Sequence, residues 1–466
     1  MDAFNELHAL LAAVLGPQAA DQAIDALKAS GVSPDEIAAS APMEELAQLS
    51  PAQRQALIAQ LTQMMTNTEA INWTMGESLA HQKASQGEDA IITAAQAQEV
   101  RHALQVADLW LDTATVFMPA PGARQAWRRN EWVDHSLAVW KDLAAPIADA
   151  ASQALASALD QRTGGFVASA PGTDPSGDGA QQAMNGVMRS MAGTAFGLQL
   201  GQAVGELSTS VLASTDVALP LAATQGTALI PRNIEEFARD LDVASADVLA
   251  YLAIREAAAA RLLAHVPWLR GQLLSAVEAF ASDIEIDMRA VDEVALQIDP
   301  SDPSSLQEAF ASGLLAPRDT QAQREIRTRI ETLLALIEGW VEVVTEQVCA
   351  AHLPQAMPLG EMMRRRRLTG GPADQILSRL IGLDFRPRLV REAASLWRTV
   401  GMQAGMEERD ALWQHPDVMP QAADLADPAG FLTLRNAAAD MDSAMDADLA
   451  SLLEGTLGYE GDAKSE

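Results

Sequence analysis

The chain of 466 residues reads as mainly α-helical, and three observations point there. Nearly half the residues (48%) are hydrophobic, many of them alanine, while aromatics make up only 4%. Alanine is the best helix former, whereas strands favour β-branched and aromatic residues. The stretch Ser245 to Arg270 (SADVLAYLAIREAAAARLLAHVPWLR) repeats its apolar residues at helical spacing. It opens on a capping serine, carries Asp247 at the positive end of the dipole and is stopped by Pro267. From Gln323 to Val348, Ile326, Ile330, Leu333, Leu334, Ile337, Val341, Val344 and Val348 follow the same helical pattern.

Taken in order, residues 1–66 read as a small helical unit, with Leu7, Leu10, Leu11 and Val14 on one short helix. Ser33-Pro34 and Ser50-Pro51 place proline at a first helical position. Residues 67–455 read as the main domain, and 456–466 as a disordered tail. Trp73, Trp110, Trp127, Trp132 and Trp140 fall in helical patterns, where core packing is their expected use. Residues 163–182, rich in Gly, Pro, Ser and Asp, predict a flexible loop. Gly193, Gly197, Gly201 and Gly205 then mark one ridge of a helix from Asn185 to Leu212. Glycine costs about 1 kcal/mol apiece there, so the ridge predicts close approach by another helix. Asn233 to Glu236 read as a capped start of a short helix before Ser245. The segment IEIDMRAVDEVALQIDPSDPSSL (284–306) is the one place that could hold a short strand, its second half reading as loop.

Composition narrows the function classes. A net charge of −31 argues against non-specific nucleic-acid binding and against anionic membrane surfaces. Arg364 to Arg367 is a lone tetra-arginine without interleaved aromatics, read as a solvated turn pairing with the chain's own acids. The acidic N-terminus lacks a basic signal region, and no apolar stretch reaches the ~20 residues of a bilayer span. The expected location is the cytoplasm. Cys349 is the single cysteine and reads as a buried small hydrophobe. Nucleophile-elbow, phosphate-loop and dinucleotide fingerprints are missing.

One helix breaks its own pattern. At about 100° per residue, Val248, Leu252, Leu262 and Leu263 form an apolar stripe, and Arg255 and Ala259 fall at its centre. A guanidinium facing a core needs a carboxylate partner. On the helix 323–348, Glu338 lies about 80° from the stripe's centre, where an acid can point into a cleft.

REAAAARLLAHVPWLR resembles the motif segment of an actinobacterial family of zincin-like hydrolases, described as zinc-dependent metalloproteases. One branch of it is associated with biosynthesis of a deazaflavin coenzyme. INW, ADLWLD, AFGLQLGQAVGELS, STDVALPL, LDFRPRLVREAASLW and the stretch from Asp410 to Leu432 resemble the family too. The resemblance implies a largely helical zincin-like domain with at most a small β element, preceded by the N-terminal helical unit. In the family the segment reads H-E-x-x-H, and its histidine positions fall here on Arg255 and Ala259. Glu256 takes the general-base position, and the histidine of an E-G-H tripeptide falls on Trp340. Zinc belongs to intact members; here arginine would repel a cation and alanine offers no donor, so no cofactor is expected. His265 has the spacing of a third metzincin ligand without the glycine turn, and reads instead as a cap on the helix C-terminus.

The expectation is therefore a non-catalytic relative that works by binding a protein or peptide partner, with neither nucleic acid nor membrane. An Arg255–Glu338 ion pair, shared with Glu256, would take the metal's place. The alternative is an active hydrolase that uses Glu256 and Glu338 with unusual metal ligands.

Overall fold

A computed structural model describes residues 71–87, 89, 91–167, 178–216, 226–239, 241–282, 320–368 and 388–453. The N-terminal unit, the candidate strand region 284–306 and the tail lie outside the described residues. The architecture is mainly α, with a small parallel pair of three-residue strands.

Two adjoining apolar cores organise the helices. In the first, α1 (Trp73–Ala84), α3 (Arg129–Val167), α4 (Asp178–Ser208) and α7 (Trp268–Ser282) gather round Trp132, Trp140, Leu200 and Phe280. Here α1 lies directly on the glycine ridge of α4. A Cβ on Gly201 would run into the carbonyl of Gly76, and one on Gly205 into Ala80 and Lys83. The ridge is the surface that lets two backbones touch, as its spacing predicts. The expected loop at 163–182 is helical at both ends, since α3 continues to Val167 and α4 begins at Asp178; 168–177 lie outside the described residues.

The second core surrounds α6 (Ser245–His265). Every residue from Tyr251 to Leu262 is buried, so α6 is a central helix rather than a surface one. Ala257, Ala258 and Ala260 make that possible: small side chains on the remaining faces let neighbours approach on all sides. α2 (Ala94–Leu111), α8 (Gln321–His352) and α5 (Pro231–Ala238) pack against it. α10 (Arg388–Gln403) covers α8, and Gly339 makes room for the backbone of Ala394. α9 (Ala356–Leu368), α11 (Gly405–Ala411), α12 (Ala422–Ala426) and α13 (Pro428–Leu453) complete the α-helices among the described residues.

Two start signals act differently from the expectation. α6 begins with Ser245 already inside the helix and Ala244 as its cap, without a side-chain cap bond. α5 begins at Pro231, because proline fits a first turn whose N–H groups are unpaired anyway. Asn233 is thus inside α5, buried, donating to the carbonyls of Ser208 and Val211 while Arg129 donates to it.

The strands β1 (Arg124–Ala126) and β2 (Thr227–Leu229) pair in parallel, Gln125 opposite Ala228. On the other side of β2, Ser214 N donates to Ala228 O (2.9 Å) and Ile230 N to Leu212 O (2.9 Å). β2 is therefore flanked on both edges, and it runs beside α6. Strands of three residues leave too little alternation to stand out in a sequence.

Candidate functional site

α6 and α8 pack side by side, and Arg255 and Glu338 meet between them. The Arg255 guanidinium donates through Nη2 to Glu338 Oε1, with both side chains buried. Tyr251 lies one turn earlier on α6, near enough for its phenol and the same guanidinium to feel each other's charge. Burial disfavours the charged form of Arg255. Glu338 first, then Tyr251 and Asp216, together outweigh it and hold the pKa above the usual arginine value. Burial pushes the Tyr251 phenol upward, and Arg255 partly opposes that. Cys349, wholly buried nearby, has its thiol pushed up to about 12 by burial, which removes it as a nucleophile.

The pair borders a small cleft whose walls include Leu252 and Ala259 from α6, Ile337 and Val341 from α8, and Met363 from α9. The enclosed space is about 20 Å³, room for roughly one water molecule. Ala259 faces this space with a methyl group alone. The floor comes from the segment after α4, where Asp216 holds Arg366 (2.9 Å) and accepts from Leu212 N (2.9 Å).

Glu256 also borders the cleft, yet its carboxylate is engaged elsewhere. It accepts from the Ser214 hydroxyl, from Thr215 Oγ1 (2.6 Å), from Thr215 N (3.1 Å) and from Ala228 N (3.1 Å). It is not the second partner of Arg255: consecutive helical residues point about 100° apart, and these four donors lie on the β2 side. Burial pushes its pKa up, and the four hydrogen bonds pull it back only in part. Ser214 and Thr215 went unassigned in the sequence. The signal was there, in three successive polar side chains, Ser214-Thr215-Asp216, between a helix and an apolar run.

Trp340 is turned away from the cleft. Its Nε1 donates to Asp410 Oδ1 (2.9 Å), and Phe117 packs against its ring. It belongs to a buried polar knot in which Asp410 also accepts from Thr115 Oγ1 (2.7 Å), Val116 N (3.0 Å) and Arg409 Nε (2.8 Å). On a helix, residues two apart cannot share a face, so Glu338 and Trp340 serve different neighbours. His265 is exposed at the end of α6, its Nδ1 2.9 Å from Arg261 O and its ring stacked on Phe117, as a terminal cap should be. The tetra-arginine is helical, in α9, rather than a turn. Arg364 pairs with Glu342, Glu346 and Glu361, and Arg366 with Asp216.

Residues 71–432 match the family model of the zincin-like metallopeptidases. The chain belongs to that family. A crystal structure from Chloroflexus aurantiacus, described as "a putative hydrolase with a novel fold", superposes with a TM-score of 0.54 at 16% identity. The match covers 78% of this chain and 99% of that one, a likeness of fold. No curated protein matches the sequence.

Zinc is the metal that the family implies, and the residues in this cleft do not fit it. A catalytic zinc takes three side-chain donors and leaves a fourth position open for water. Here a guanidinium, which stays charged and has no lone pair to give, points into the space instead. Of the three carboxylates at the cleft, Glu338 is bonded to that cation, Glu256 to four donors, and Asp216 to Arg366 and the Leu212 N–H.

Proposed function

We propose that this chain is a non-catalytic zincin-like metallopeptidase, in which a buried ion pair occupies the place of the metal and the fold acts by binding a protein or peptide partner. The observation that carries the reading is the Arg255–Glu338 pair itself. It links the two helices a metal would link, and it brings its own positive charge to do so. Glu256 supports the same reading, because a carboxylate saturated by four donors has no free lone pair aimed at a water. The alternative, hydrolysis through Glu256 and Glu338 with other metal ligands, would require both carboxylates to leave these partners.

The double variant Arg255→His, Ala259→His tests the proposal. Two imidazoles four residues apart on a helix share one face and can grip one metal. The variant should take up close to one zinc per chain while the wild type takes up none, and zinc should raise its melting temperature alone. A wild type that binds zinc as tightly as the double variant overturns the proposal.

A further inference from the structure

The family match ends at residue 432, but α13 continues to Leu453. That extension carries Leu434, Met441, Met445, Leu449 and Leu452, each more than half exposed. Stepped at about 100° per residue, Leu434, Met441, Met445 and Leu452 fall within about 20° of one line, with Leu449 about 60° to one side. This is an apolar stripe roughly 27 Å long at the helical rise. Isolated exposed apolar residues are ordinary, whereas a continuous stripe of them marks a contact surface.

Charge decides what can cover it. By sequence α13 carries four aspartates, Asp440, Asp442, Asp446 and Asp448, against a single arginine, Arg435. Both Asp446 and Asp448 are exposed; Asp448 lies about 40° from the stripe's line, and Asp446 about 60° beyond Leu449 on the other flank. A second copy would set these aspartates against their own kind, and so would most of a chain whose net charge is −31. An anionic membrane is repelled for the same reason. We infer that the 434–453 face of α13 is a docking surface for a basic amphipathic helix of a partner protein. The partner's leucine-type residues would lie along the methionines, and its lysines or arginines would reach Asp446 and Asp448. Methionine side chains are adaptable enough to accept such a helix. This surface is separate from the Arg255 cleft, and the inference does not depend on whether that cleft ever held a metal.

The test uses the full chain and two labelled 21-residue helical peptides, both with leucine at the a and d heptad positions. One has lysine and the other glutamate elsewhere. Fluorescence anisotropy should show the lysine peptide binding at least tenfold tighter. The exposed-face variant Met445→Asp, Leu449→Asp should weaken that binding at least tenfold, although it adds negative charge. Unchanged binding to the variant would mean general attraction to an acidic protein and would overturn the inference. So would no binding of the lysine peptide, or a dimer in sedimentation velocity that the same variant dissolves.

Discussion

Arg255 and Arg261 lie on the same helix, and the protein buries them in opposite ways. Arg261 is wholly buried and saturated. It donates to the carbonyls of Asp108 (2.6 Å) and Phe117 (2.8 Å), and its charge meets the carboxylates of Asp108 (3.3 Å) and Asp112 (2.9 Å). Those acceptors pin the end of α2 and the segment after it to α6, which is a structural task. Arg255 instead meets one carboxylate and one phenol at the edge of a small space. A guanidinium ringed by backbone carbonyls is part of the scaffold, whereas Arg255 borders a cleft and is held mainly by the Glu338 carboxylate, which is the feature the proposed function rests on.

The largest break in this comparison should come from Arg261→Ala. It strips one buried and one half-buried carbonyl of their donor and leaves the Asp108 carboxylate to Arg124. Removing one partner of a buried charge network costs about 3–5 kcal/mol, and urea unfolding should show a loss of that order. Glu338→Ala comes next, because it leaves the Arg255 charge buried beside Tyr251; a loss of about 3 kcal/mol is expected. The double variant Arg255→Met, Glu338→Leu sharpens the point. It should recover most of that loss, since apolar groups of similar size often replace a buried ion pair without net cost.

Glu256→Gln should cost less, about 1–3 kcal/mol. The amide must turn an N–H toward donors that already point at it, and Thr215 or Ala228 loses its acceptor. The smallest effect is on pH dependence. The folded pKa of Glu256 is raised, so the folded state holds this proton more tightly than the unfolded chain. Its contribution to stability therefore falls as pH rises from the unfolded value, about 4.3, through the folded one. Glu342, also raised by burial, acts in the same direction. Glu256→Gln should flatten the decline in stability across that window, which a series of melts from pH 4 to 8 would reveal.

What the sequence made legible was local. Arg255 at the centre of an apolar stripe, Glu338 at the flank of another and glycines every four residues are all features of a single helix. The close helix approach follows from the glycine spacing, while the meeting of Arg255 with Glu338 was what the family resemblance implied. Glu256 was illegible because its cage is assembled from Ser214, Thr215 and Ala228, about 30 to 40 residues upstream on a loop and a strand. That strand is too short to announce itself. Trp340 was illegible for a similar reason, since its partner Asp410 lies on a different helix 70 residues away. The amphipathic reading of α6 fell short because alanines give no sign of burial by their periodicity. They fill core and surface positions alike.

The claim that an ion pair stands where the family holds a metal is tested most directly by the zinc content of the purified, untagged wild-type chain. Elemental mass spectrometry after incubation with excess zinc and dialysis should find far less than one zinc per chain. Close to one zinc per chain would contradict the account and send attention back to Glu256, Glu338 and His265 as ligands.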